Sequence, residues 1–177
     1  MISQQLIISG VGGQGILFIT RILAETAIAK GLPVLTSETH GMAQRGGIVI
    51  SHLKIGEFSS PLVRPGHADG LIALKAGNVQ LHRSFIKPDG WIVANAGDAF
   101  SLTEAATIDA DTIALHLGNP QAVNLVVLGR ALSTGRLFCT PDELDRVIRR
   151  KLRDKPSLLE GALAALNAGT SRQPDAD

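Results

Sequence analysis

A short apolar run, Leu6-Ile7-Ile8-Ser9, meets Gly10-Val11-Gly12-Gly13-Gln14-Gly15, and a long apolar segment follows from Ile16 to about Lys30. Strand, glycine turn, helix is the opening of an α/β domain. In this reading Gly10 permits the tight turn, Gly12 lets backbone approach a ligand, and Gly15 lets helix and strand pack closely. The first N–H groups of such a helix have no partner within it. They point outward with the positive end of the helix dipole behind them, which suits an anion. A purely structural turn selects the same glycines, so the spacing alone does not separate the two.

The pattern after the turn predicts how the domain is built. The helix from Gln14 to Lys30 has a narrow polar stripe (Gln14, Arg21, Glu25), so more than one side of it must be covered. Residues 4–9 and 33–37 read as strands, and Glu38 to Gly47 as a polar, glycine-punctuated loop. Ile48 to Ile55 is a strong strand, and Phe58 to Val63 is its expected hairpin partner after a Gly56-Glu57 turn. Further strands are expected at 71–74, 91–95 and 107–109, and helices at 76–86, 111–117, 120–133 and 155–167. Lys87-Pro88-Asp89-Gly90 reads as a turn. Gly129 inside a helix suggests a close helix crossing. Thr140-Pro141-Asp142-Glu143 is a capping box, with Cys139 placed to pack on Leu144. The expected fold is α/β: a three-layer Rossmann-like domain with a mixed, mainly parallel sheet and an inserted β-hairpin. It would span residues 1–168 as a single unit, with a disordered tail over 169–177.

Composition excludes several functions. The chain of 177 residues carries a net charge of only +1, with five Phe, one Trp and no Tyr. Neither nucleic acid nor a membrane surface is an expected partner. Hydrophobic residues make up 45% and charged residues 19%, which is apolar enough to place some surface against another chain. One cysteine cannot form an internal disulfide, nor hold zinc or an iron–sulfur cluster alone. The N-terminus enters a strand directly and no apolar run is long enough to span a bilayer, so a cytoplasmic location is the expectation.

Two stretches carry possible chemistry. Glu38, at the end of the second expected strand, completes a formal dinucleotide fingerprint with Gly10, Gly12 and Gly15. Against it, the chain lacks a second nucleotide-binding half, and the expected hairpin breaks the doubly wound order. His40 reads as a plain polar loop residue. Gln44-Arg45-Gly46-Gly47 can present a guanidinium and free backbone N–H groups to a phosphate or carboxylate. If the first two strands run parallel, this loop and the glycine turn face one crevice. The candidate binding residues are therefore Gly10, Gly12, Gly13, Gln14 and Gly15 with Gln44, Arg45, Gly46 and Gly47, and Asn124 near a helix start. No residue reads as catalytic and no spacing suggests a metal site. There is no thiamine-diphosphate motif, P-loop lysine or nucleophile elbow.

Together these segments resemble the gamma domain of the 2-oxoacid (pyruvate or indolepyruvate):ferredoxin oxidoreductases. Ser60-Pro61-Leu62, Ala68 to Leu74 and Asn124 to Gly129 add to the likeness. The His40 to Gly47 form most resembles the beta subunit of indolepyruvate ferredoxin oxidoreductase. The resemblance implies a non-catalytic subunit of an enzyme that oxidatively decarboxylates an aryl or related 2-oxo acid. The products would be an acyl-CoA, carbon dioxide and reduced ferredoxin. Thiamine diphosphate and iron–sulfur clusters would sit in a large partner subunit, through which ferredoxin is met indirectly. This chain would bind no cofactor alone, though it could help assemble the complex and hold coenzyme A. One departure stands out: Lys75 occupies a position where the family usually has glutamate. A free-standing NAD-binding oxidoreductase and a ligand-free interaction module remain the alternatives.

Overall fold

The computed structural model describes residues 2–40, 46–97 and 105–171. The strands are β1 (Gln4–Val11), β2 (Val34–His40), β3 (Ile48–Ile55), β4 (Ala68–Ala73), β5 (Ile86–Asn95) and β6 (Ala106–Ile108). They form one sheet in the order β2-β3-β1-β4-β5-β6. β3 is antiparallel to both β1 and β2; the pairs β1–β4, β4–β5 and β5–β6 are parallel. The helices are α1 (Ile16–Ala29), α2 (Gly77–His82), α3 (Ala110–His116), α4 (Val123–Ser133), α5 (Pro141–Leu152) and α6 (Pro156–Thr170). The sheet is mixed and mainly parallel, as expected.

The antiparallel insertion is not built as expected. Residues 58–63 form no strand, and β3 pairs with β1 and β2 instead. Ser51 to Ile55 are all buried, so this strand has no solvent face and belongs inside a sheet. Pro61 offers no N–H to a ladder. β2 also runs on through Glu38, Thr39 and His40, which the sequence places in a loop.

Each face of the sheet has its own core. Leu6, Ile8, Leu53, Ile72 and Val93 pack with residues of α1, α4, α5 and α6 in the larger one. Ile7, Leu71, Ala73, Ile92 and Ala94 point the other way, since side chains alternate along a strand. They are covered more thinly, by Val79 of α2 and by Val63.

Three further boundaries differ from the sequence reading. Lys87 to Gly90 form a bulge inside β5 rather than a separating turn: pairing jumps from Ala68–Ile86 to Gly70–Trp91. α2 stops at His82 and continues as a 3-10 turn to Phe85, because Ile86 must begin β5. The last helix reaches Thr170, so Gly169 to Ser171 belong to the fold and not to a tail. Residues 172–177 lie outside the described residues. Gly169 is held in the fold by the α4–α6 crossing. A Cβ on Gly129 would lie 2.2 Å from the Leu166 carbonyl, and one on Gly169 would lie 2.0 Å from that of Val126. The capping box at Thr140 is present, and Cys139 and Leu144 share the larger core.

Candidate functional site

β1 and β2 are both antiparallel to β3, so they run parallel to each other. The C-terminal ends of β1, β2, β4 and β5 therefore share one edge of the sheet. After β1 the chain passes to α1 on the face of the larger core; after β4 it passes to α2 on the opposite face. The change of side falls between β1 and β4, where open α/β sheets leave a crevice for ligands. The glycine turn sits there.

The two glycine-containing stretches meet. Gly12 N donates to the Gly47 carbonyl at 2.9 Å. Gly13 (φ 95°), Gly15 (φ 77°) and Gly46 (φ 71°) adopt the left-handed conformation that favours glycine. Among the described residues, the N–H groups of Gly13, Gly15, Ile16 and Leu17 make no hydrogen bond. The first turn of α1 has no side-chain cap and no acidic residue. The edge thus offers unpaired backbone donors at the positive end of a helix of 14 residues.

Two expected contact residues are committed elsewhere. Gln14 Oε1 accepts from Val11 N at 2.8 Å, and its Nε2 donates to the Leu74 carbonyl at 3.2 Å. The side chain braces the turn against the end of β4. Asn124, buried at the start of α4, donates from Nδ2 to the Gly15 carbonyl at 3.3 Å and accepts from Leu125 N at 2.8 Å. A Cβ on Gly15 would stand 2.2 Å from that Nδ2, so α4 packs directly onto the turn. Gly10 has a similar reason to be glycine: a Cβ there would lie 2.6 Å from Gln14 Oε1. Gln44 and Arg45 lie outside the described residues, and so does the His40 side chain.

Sequence reasoning missed other members of the frame. Asn95, at the end of β5, donates to the Leu74 carbonyl at 3.3 Å and to Asp111 Oδ2 at 2.8 Å, and accepts from Ala110 N at 3.0 Å. Asn78 donates to Ser9 Oγ at 3.0 Å, and Ser9 Oγ donates to the Val49 carbonyl at 3.2 Å. The available signal was a polar residue closing an apolar strand, as Ser9 and Asn95 both do. Leu74 N donates to the Ser9 carbonyl at 2.7 Å, which continues the β1–β4 pairing to the edge and leaves Lys75 exposed just beyond it.

Cys139 lies in the larger core. It is buried, and burial together with the nearby Glu143 carboxylate pushes its thiol up to about 12. Among the described residues no group of His, Cys, Asp and Glu is arranged to hold a metal ion. No helix among them is long and apolar enough to cross a membrane.

This is a Rossmann-like α/β domain that presents backbone donors at a switch point, braced from β4, β5 and α4. Residues 5–172 match the pyruvate ferredoxin/flavodoxin oxidoreductase family, and the chain belongs to that family. It is 30% identical to indolepyruvate oxidoreductase subunit IorB of Archaeoglobus fulgidus, over 93% of this chain and 92% of that one. It is 29% identical to ketoisovalerate oxidoreductase subunit VorA of Methanothermobacter thermautotrophicus, but spans only 35% of that protein. The fold matches a keto/oxoacid ferredoxin oxidoreductase gamma subunit from Geobacter sulfurreducens, with TM-score 0.76, 22% identity, and coverage of 94% and 96% of the respective chains. It also matches 31% of a chain of the 2-oxoglutarate:ferredoxin oxidoreductase from Magnetococcus marinus, a structure with 2-oxoglutarate, coenzyme A and succinyl-CoA bound. There the TM-score is 0.79 at 20% identity, over 97% of this chain. The architecture is that of the gamma subunits.

Proposed function

We propose that this chain is the small, non-catalytic subunit of a thiamine-diphosphate-dependent 2-oxoacid:ferredoxin oxidoreductase of the indolepyruvate type. The assembled enzyme would convert indolepyruvate or a related aryl 2-oxo acid and coenzyme A to an acyl-CoA, carbon dioxide and reduced ferredoxin. Thiamine diphosphate and the iron–sulfur clusters would reside in a large partner subunit; a single buried, protonated cysteine here accords with that division. Near full-length similarity to an indolepyruvate subunit favours this substrate over the branched-chain one.

The observation that carries the site is the clasp between Gly12 and Gly47, which leaves the neighbouring N–H groups unpaired. In this reading they receive a phosphate of coenzyme A. Lys75, exposed past β4, supplies positive charge at this edge, and Arg45, next in sequence to Gly46, would pair with the phosphate. Gln14 and Asn124 act as positioning residues, through Val11, Leu74 and Gly15.

The dinucleotide alternative loses its main support. β3 lies between β1 and β2, so Glu38 stands two strand spacings, about 10 Å, from the strand that carries the glycine turn. An acid on the adjacent strand would be needed for the ribose.

The test is to purify the tagged chain with its partners from its native host and titrate coenzyme A into the preparation. A stoichiometric thiamine- and iron–sulfur-binding chain, with coenzyme A affinity reduced about tenfold or more by Arg45→Ala, is expected. A chain recovered alone, whose melting point NAD raises in a Glu38-dependent way, would overturn the proposal.

A further inference from the structure

Between α5 and the C-terminal end of α1 lies a cleft of about 250 Å³. Ala29 and Lys30 line it from one side, and Glu143, Arg146, Val147 and Arg150 from the other. Arg146 and Arg150 stand one helical turn apart, so they share a face of α5. Both are exposed, and a solute can reach them. Neither makes a hydrogen bond or an ion pair among the described residues.

The other cations around α5 have partners. Arg149 holds Asp145 at 2.5 Å, Arg153 holds Asp154 at 3.3 Å, and Lys151 holds Glu25. Within the cleft, Lys30 donates to both oxygens of Glu143, at 2.6 and 2.7 Å. Glu143 also accepts from Thr140 N at 2.9 Å. The carboxylate in the lining is thus occupied, and the two guanidinium groups are left over. Three cations face one carboxylate. The negative end of the α1 dipole, roughly half a charge, is too small to offset them. Ala29 and Val147 bring neither charge nor hydrogen-bonding group, and low-dielectric walls of this kind focus the field of the cations. One arginine fork satisfies a carboxylate, whereas a phosphate group has more charge and more acceptor oxygens and can take two. The volume is small for a whole cofactor, since pockets for drug-sized ligands begin at about 300 Å³.

We infer that this cleft binds the phosphate or diphosphate group of a small metabolite, held by the forks of Arg146 and Arg150. The glycine turn lies at the other end of α1, whose 14 residues put about 20 Å between the two places. The cleft is therefore a second anion site, separate from the crevice, and it does not depend on the subunit reading.

The test titrates inorganic diphosphate, and separately inorganic phosphate, into the isotope-labelled full chain, followed by nuclear magnetic resonance. Salt is held at about 0.1 M, which screens charges more than about 10 Å apart. The backbone amides of Ala29 and Val147 report on the cleft, and those of Gly13 and Gly15 on the crevice. Diphosphate is expected to shift the cleft amides with a Kd below about 1 mM. Arg146→Gln and Arg150→Gln should each weaken that binding about tenfold or more. Arg149→Gln removes an exposed arginine of the same helix that already has a partner, and should change it by less than about twofold. Shifts confined to the crevice, no shift at either place, or equal losses in all three variants would each overturn the inference. Cleft amides that ignore both anions, while Arg146→Gln and Arg150→Gln weaken binding to the large subunit, would identify an acidic segment of that partner and overturn the small-ligand site.

Discussion

Replacing Gly129 by alanine tests whether the α4–α6 crossing holds the candidate site in place. The added Cβ would lie 2.2 Å from the Leu166 carbonyl oxygen, 2.9 Å from Gly169 Cα and 3.0 Å from Thr170 N. Ordinary carbon–oxygen contact begins about 1 Å further out. Every atom it meets is backbone, so no side chain can swing aside, and the helices themselves must part. Overpacking of this kind costs about 1–3 kcal/mol, and a rigid backbone on both sides places this case at the upper end. Alanine recovers about 1 kcal/mol in helix propensity over glycine. The net loss is about 2 kcal/mol, a fall in Tm of about 4–8 °C for a chain of this size. Gly161→Ala in α6 is the control: its Cβ meets only the Asn119 side-chain amide, at 3.0 Å, so equal or raised stability is expected. Thermal and urea unfolding of both variants read the difference. If Gly129→Ala were as stable as Gly161→Ala, the crossing would not be the constraint described. Because α4 also carries Asn124, Gly129→Ala should weaken coenzyme A binding by the assembled enzyme as well, without touching the crevice.

Gly15→Ala should destabilise the chain by about 1–2 kcal/mol, since φ is 77° and the Asn124 amide already fills the space; wild-type stability in urea unfolding would contradict this. His52 accepts from Val63 N through Nδ1 at 3.2 Å; burial, then His82 and Lys54, lower its pKa, and burial lowers that of His82. A histidine whose folded pKa lies below its unfolded value contributes stability above about pH 6.5 and loses it as pH falls through the lowered value. Tm should therefore drop between about pH 7 and pH 5, less steeply in His52→Gln, and equal slopes would refute the assignment. Cys139, buried with its thiol near 12, should resist thiol reagents at about pH 8 in the native chain and react on unfolding; fast native labelling would refute its place in the core beside Leu144.

What was legible in the sequence followed local chemistry. The glycine turn, the apolar strands and the Thr140 capping box each depend on residues close in the chain, and each is present. The convergence of the glycine turn with Gly46-Gly47 was legible too, because it needed only that β1 and β2 run parallel. Strand order was not. The run from Ile48 to Ile55 is apolar enough for any interior position, and its periodicity does not say which neighbours it takes. Lys87-Pro88-Asp89-Gly90 has turn chemistry, but a bulge uses the same residues, and the pairing of Ala68 with Ile86 decides between them. Gly169 looked like the start of a tail because its partner, Gly129, is distant in sequence. The bonds of Gln14 and Asn124 were hidden for a related reason: each amide, expected at a ligand, also satisfies backbone groups brought near by folding.

These internal bonds make the glycine turn a stronger candidate for binding. A turn whose side chains reached outward would have to order them as a ligand arrives. Here Gln14 ties the turn to Leu74, Asn95 ties the same carbonyl to β5, and Asn124 presses on Gly15 from α4. The unpaired donors that remain are backbone groups on a frame held from several elements. Such donors lose little freedom when an anion arrives, so more of the electrostatic attraction appears as affinity. Loosening any of the braces should thus raise the dissociation constant for an anionic ligand while the turn's own residues stay unchanged. Asn95→Ala separates the two ideas. If Asn95 only packs the strand end, stability falls and affinity in the assembled enzyme is unchanged; if it holds the frame, both fall together.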